Sequence, residues 1–245
     1  MKNIRFFFIA ILALALGSCQ FTEEITIQKN GSGTYKLNVD MGGMMTGMSG
    51  MSKNDSIKKD PEKLDSIIYV KDILEANKDS IAQLSESDRA MINATKDMKM
   101  RIRVDEEKGM MLMDFMLDFK NISEIDDIKQ KLEKANQLQE NKGKEEVEIE
   151  NHEIHYSYNK KMFKRSVLMK ELSDEEQAKF DAAQKQSSMF LSGSNYKLIY
   201  NFPKKIKKVS YKDAQFSDNR KSLIIEIEMD SLTKNPQLLD FEVTF

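Results

Sequence analysis

ITIQKNGSGTYKLNVD, residues 25–40, decides how this chain folds. Ile25 and Ile27 alternate with polar residues, Asn30-Gly31-Ser32-Gly33 tolerates positive φ, and Tyr35, Leu37 and Val39 alternate again. Period-two alternation on both sides of an Asn/Gly-rich turn is the signature of a β-hairpin.

The same pattern recurs downstream. Met98, Met100, Ile102 and Val104 alternate with Lys99, Arg101 and Arg103, and a turn at Glu106–Gly109 leads into Met111, Met113, Phe115, Leu117 and Phe119. These predict a second hairpin. Val147 and Ile149, then Ile154, Tyr156 and Tyr158 across a turn near Asn151, predict a third. Tyr196 to Phe202, Ile206 to Tyr211, Ala214 to Phe216, Leu223 to Met229 and Phe241 to Phe245 make the last part β-rich, punctuated by Pro203 and Asn235-Pro236. Helices are expected where caps precede apolar periodicity. Asp60-Pro61 leads into Leu64, Ile67, Ile68 and Leu74, Ser85-x-x-Asp88 precedes Met91 and Ile92, Ser123-x-x-Asp126 precedes Ile125, Ile128, Leu132 and Leu138, and Ser173-x-x-Glu176 precedes Phe180 and Ala183. The expected order is ββ-αα-ββ-α-ββ-α-βββ. Strands in hairpins with helices in separate blocks predict an α+β fold, a mostly antiparallel sheet with about four helices packed on it.

Upstream of the hairpin the chain reads as an address. Lys2 and Arg5 precede the apolar run Phe6–Leu16, which closes on Leu16-Gly17-Ser18-Cys19. A basic start, a short apolar core and small residues before a cut site define a secretory signal peptide. The run is far shorter than the roughly 20 residues a spanning helix needs. The closing four residues look like the lipobox of bacterial lipoproteins, which implies acylation of Cys19. The organisation expected is a signal peptide over 1–18, a lipidated N-terminus and short tether over 19–24, and an α+β domain over 25–245. Within that domain, residues 41–60 read as a Met/Gly-rich, then Lys-rich, loop. Gln20 is not the aspartate that retains many enterobacterial lipoproteins at the inner membrane. The pair Glu23-Glu24 resembles acidic signals of surface-exposed lipoproteins, although two acids in a strand are also an ordinary solvated edge. Together these favour the outer membrane over the inner, on its periplasmic or surface side.

Composition narrows the chemistry. Of 245 residues, 38 are Lys or Arg and 40 are Asp or Glu, and Lys2 and Arg5 leave with the leader. The mature chain is therefore acidic, without the basic excess of a nucleic-acid-binding protein. Cys19 is the only cysteine, so an acylated Cys19 leaves neither an intrachain disulfide nor a catalytic thiol.

Three stretches, ITIQKNGSGTYKLNVD (25–40), YKLIYNFPKKIKKVS (196–210) and NPQLLDFEVTF (235–245), resemble uncharacterised Bacteroidota lipoproteins. More distantly they resemble the LppM-type lipoprotein domain. The resemblance implies a compact membrane-tethered α+β domain and transfers no catalytic residue.

Met41, Met44, Met45, Met48 and Met51 are spaced by Gly, Ser and Thr. Thioethers select Cu(I), which makes these five candidate ligands. Methionine is also used throughout the chain, 17 in all, and a Met-rich loop equally suits a protein or lipid contact. His152 and His155, three apart beside a turn into a strand, point to opposite faces and do not share a metal. The run Lys204, Lys205, Lys207 and Lys208 suits either a protected strand edge or anionic headgroups. No nucleophile elbow, phosphate loop or dinucleotide fingerprint occurs, and no motif implies a cofactor. The reading is a non-enzymatic, membrane-anchored envelope module held by lipid through Cys19, with another envelope protein as possible partner and no nucleic acid. The alternative is a carrier of a small apolar ligand or Cu(I) through the Met-rich loop.

Overall fold

The computed structural model describes residues 20–43, 63–126, 128, 131, 150–191 and 193–245. In chain order the strands are β1 Gln20–Ile27, β2 Gly33–Asp40, β3 Lys63–Tyr69, β4 Lys99–Asp105, β5 Met110–Phe119, β6 His152–Tyr158, β7 Met162–Met169, β8 Asn195–Asn201, β9 Lys208–Val209, β10 Gln215–Phe216, β11 Ser222–Glu228 and β12 Phe241–Thr244. The helices used below are α1 Val70–Ala76, α2 Lys78–Ala82, α3 Glu86–Asn93, α4 Asp174–Leu191 and α5 Met229–Lys234.

The strands form an eight-stranded sheet, β10-β11-β8-β1-β2-β5-β4-β3, and a four-stranded sheet, β6-β7-β12-β9. The fold is α+β, as the alternation predicts. The smaller sheet is antiparallel, whereas the larger is mixed, because β1 runs parallel to β8. Hairpin reading could not foresee that pairing, since it joins segments far apart in sequence. The inner faces of the two sheets meet in an aromatic core: Phe163 of β7 lies edge-on to Tyr200 of β8 at 5.3 Å, and Tyr200 stacks with Phe241 of β12 at 5.8 Å.

The 25–40 hairpin forms as predicted, and its two glycines do different work. Gly31 takes φ 90° in the turn, where Gly31 N–H donates to the Gln28 carbonyl at 3.0 Å. Gly33 lies where β2 passes between β1 and β5, and a Cβ there would run into the Thr26 carbonyl and the Phe119 ring. The second hairpin also forms, with β4 and β5 paired from Lys99↔Met116 to Asp105↔Met110.

Several boundaries differ from the sequence reading. β1 begins at Gln20, so the five residues read as a tether are strand, paired with β2 on one side and β8 on the other. Residues 63–69, read as helix, are the edge strand β3, and helix begins only at Val70. Leu64 and Ile67 stay exposed there, so an edge strand wet on both sides lacks the alternation that would have marked it. β6 pairs with β7, a strand the sequence reading missed; the expected partner at Val147 and Ile149 lies outside the described residues. Met229 starts α5 and does not extend β11.

The capping signals fare better. Ser85 accepts from the Asp88 N–H, and Ser173 and Glu176 exchange hydrogen bonds at the start of α4. Near residue 123 the box shifts by two: Asn121 and Glu124 cap a 3-10 turn over Ile122–Ile125. Asp126 then turns extended, and helical geometry returns at Ile128. Leu132 and Leu138 of the expected helix lie outside the described residues. No helix among the described residues is long and apolar enough to cross a membrane.

Candidate functional site

Alternation along β1 places Glu23 on the same face as Ile25 and Ile27, toward the core. A carboxylate there is costly unless its lone pairs are filled. Parallel pairing sets Glu23 opposite Leu198 of β8, with Tyr196 and Tyr200 one step away on the same face. Tyr156 arrives from β6 in the facing sheet. Tyr156 and Tyr200 hydroxyls both donate to Glu23 Oε1, the first at 3.1 Å, and Tyr196 donates to Oε2 at 2.6 Å. Glu23 is 3% exposed, so the carboxylate is sealed between the sheets.

A cation completes the cluster. Arg165, directly opposite Tyr156 in the β6–β7 register, is also 3% exposed. Its guanidinium lies over the Tyr156 ring at 5.9 Å, and Nη1 donates to the Leu239 carbonyl at 2.9 Å. Its Nε has no hydrogen-bond partner among the described residues. Burial, followed by the negative charge of Glu23, pushes the hydroxyls of Tyr35, Tyr156, Tyr196 and Tyr200 above the ordinary phenol range. Burial opposes the Arg165 charge, but the surrounding tyrosines and Glu23 outweigh it and hold the guanidinium protonated. The arrangement buries a carboxylate and a guanidinium that act on each other at a distance through a ring of neutral phenols, tying β1, β8, β6 and β7 together.

A second buried acid lies on the opposite face of the large sheet. Asp114 of β5 is 3% exposed and takes Asn38 Nδ2 at 2.8 Å, Arg103 Nη2 at 2.9 Å and Lys36 Nζ at 3.1 Å. Burial works against its charge, yet Asn38, Lys36 and Arg103 hold its carboxyl below the usual range. Toward one end of that face, a shallow cleft of about 260 Å³ is lined by Glu24, Lys36, Asp97, Lys99 and Asp118 among others.

Other residues picked out from sequence are scattered. Cys19, Met44, Met45, Met48 and Met51 lie outside the described residues. Met41 is half-buried just past β2, where its N–H donates to the Met111 carbonyl at 2.8 Å. His152 and His155 both lie on β6. His155 engages Asp126 at 3.2 Å and Glu153 at 3.4 Å, while His152 is 2.9 Å from Asn151 Oδ1. No group of three or more His, Cys, Asp or Glu side chains suited to a metal occurs among the described residues. Glu23 and Glu24 point to opposite faces, so the acidic pair is not a solvated edge: Glu23 is buried and Glu24 accepts from Asn201 at 3.1 Å. Lys208 lies on β9, an edge of the smaller sheet, while Lys204 and Lys205 belong to the turn before it.

The buried cluster was missed in the sequence. Its signal is a charge in phase with an apolar alternation: Glu23 with Ile25 and Ile27, and Arg165 with Phe163 and Val167. Comparison of the chain with protein-family models, curated proteins and solved structures finds no match.

Proposed function

We propose that this protein is a lipid-anchored, non-enzymatic module of the bacterial cell envelope, acylated at Cys19 and held directly against the outer membrane. The observation that supports it most is the start of β1 at Gln20, the residue after the lipobox cysteine. With β1 hydrogen-bonded on both sides from its first residue, no slack separates an acylated Cys19 from the sheet. Two or three acyl chains give stable attachment, whereas one chain alone holds only marginally. The buried cluster favours a structural role over catalysis, because both Glu23 oxygens are occupied by tyrosines inside the core. Cell fractionation tests the reading: the protein should pellet with membranes, and Cys19→Ala should move it to the soluble fraction. Retention of Cys19→Ala on membranes would overturn it.

One observation favours a second reading, a carrier of a small apolar ligand. On the inner face of β2, β5 and β4, Leu37, Val39, Met100, Ile102, Met111 and Met113 are only half-buried. Native mass spectrometry of protein extracted from membranes would detect a retained lipid or Cu(I). A ligand-free mass with unchanged melting on Cu(I) addition removes the carrier reading.

A further inference from the structure

The basic run Lys204-Lys205-Ile206-Lys207-Lys208 becomes informative once its position in the fold is known. β8 runs parallel to β1, from Gln20↔Asn195 to Thr26↔Asn201. The chain therefore leaves β8 at Phe202 about 23 Å from the Cys19 end, at about 3.3 Å per residue. This run thus lies at the end of the strand far from Cys19.

The run is built into a larger basic pole. Ile206 is buried, which forces its flanking lysines outward. Lys204 Nζ donates to the Lys160 carbonyl at 2.7 Å, Phe245 N–H donates to the Lys161 carbonyl at 3.0 Å, and Phe202 N–H donates to the Lys221 carbonyl at 2.8 Å. These bonds gather Lys160, Lys161 and Lys221 around the run, and all of these lysines are exposed. Arg220 joins them at φ 55°, a left-handed conformation uncommon outside glycine, asparagine and aspartate. There its Nε donates to the Ile206 carbonyl at 3.2 Å and its guanidinium covers the Phe216 ring at 4.6 Å. The opposite, anchor-side end bears Asp40, Glu106, Glu107, Glu228 and Asp230 against Lys63 and Lys108. Among the described residues, the groups named at the two ends of the strand axis thus carry opposite excess charge, with Asp218 the acid in the 217–220 turn of the basic end.

We propose that this pole is a docking surface for an anionic polysaccharide presented away from the anchoring membrane. Its direction relative to the bilayer rests on the Cys19 reading, whereas its binding chemistry does not. Lysine-rich runs of this length suit polyanions. The exposed large apolar side chains among the described residues are Leu64, Ile67, Tyr69, Leu168, Met169 and Leu238. None belongs to this pole, so it lacks the apolar wedge of a bilayer-inserting surface and the aromatic anchors of a protein interface. Phe202 is buried, Phe216 lies beneath Arg220, and Phe245 packs between Tyr158 and Phe202, so each of these rings is buried or half-buried and poorly placed to stack bases.

The test uses the full chain in detergent on immobilised heparin and polygalacturonate, with neutral dextran and duplex DNA as comparisons. The detergent-free Cys19→Ala chain is used on phosphatidylglycerol vesicles, so that acyl insertion does not enter the vesicle comparison. Both polyanionic glycans should retain the protein although its net charge is negative. The quadruple variant Lys160→Ala/Lys205→Ala/Lys208→Ala/Lys221→Ala removes cations that support no described fold contact through their ammonium groups. At about fivefold in affinity per cation in full contact, removing four should weaken binding by up to about 600-fold, and by at least about tenfold where only two of them touch the glycan. A matched variant with Lys71, Lys78, Lys185 and Lys234 replaced by alanine should bind as the parent does. Equal loss in both variants, no retention on either glycan, or equal binding to vesicles or DNA would overturn the proposal. Cys19→Ala should keep glycan binding, so failure of the anchoring reading and failure of this one are separately visible.

Discussion

Replacing Glu23 by alanine removes the acceptor on which three buried tyrosine hydroxyls converge. Each hydroxyl left unpaired in the core costs about 1–3 kcal/mol. Arg165 at the same time loses the negative charge that, after the surrounding tyrosines, offsets its burial; as the two charges act at a distance, this adds less than the ~3–5 kcal/mol of breaking a buried ion pair. These losses overlap, because the tyrosines can turn toward one another. The net expectation is about 4 kcal/mol, a large share of the roughly 5–15 kcal/mol of a typical domain. Glu23→Gln keeps the shape and one acceptor, and should cost about half as much. The neighbouring Glu24→Ala is the internal control, since Glu24 faces the other side of the sheet and bonds Asn201; about 1 kcal/mol or less is expected. The chain has no tryptophan, so urea unfolding is followed by far-ultraviolet circular dichroism. A Glu23→Ala loss below about 1 kcal/mol, or one no larger than that of Glu24→Ala, would refute the reasoning.

Stability should fall at alkaline pH. The four buried tyrosines keep their protons in the folded state above the ordinary phenol range, while the unfolded chain releases them from about pH 10 upward. Their contribution is full below that pH and lost as pH rises through their folded-state range, so these four of the seven tyrosines should ionise together with the loss of circular dichroism; ionisation of more than three tyrosines before any such loss would contradict this. Gly33→Ala should destabilise by about 2–3 kcal/mol, because its Cβ meets the Thr26 backbone and Phe119, whereas Gly31→Ala, in open space, should cost about 1 kcal/mol for its left-handed φ. Chemical unfolding of the two variants measures both, and equal losses would be wrong for this packing. With Cys19 acylated, a fluorophore on Lys108→Cys should be reached by lipid-borne quenchers and one on Lys205→Cys should not, since they occupy opposite ends of the strands.

Much of the fold was legible where burial follows a simple period. Ile25, Ile27, Tyr35, Leu117 and Phe119 alternate because one face of their strands is core, and the Gly31–Gly33 turn registers the hairpin. The failures have particular causes. Leu64, Ile67 and Ile68 fall at helical spacing by chance on an edge strand whose faces are both partly wet. Glu23 and Arg165 interrupt the apolar alternation of β1 and β7, and each made its strand look like something else. Glu23 turned the first half of β1 into a tether, and Arg165 hid β7 altogether. The residues that hid the two strands are the two charges of the buried cluster, and only tertiary pairing with the tyrosines makes them tolerable. The basic run was visible as composition, but its direction depends on the parallel β1–β8 pairing, which local sequence does not encode.

The most direct measurement is the intact mass and N-terminal peptide of the protein extracted from its native membrane. The account predicts a chain that begins at Cys19 and carries the mass of two or three acyl chains. A chain that retains Met1, or one whose Cys19 is unmodified, would contradict it.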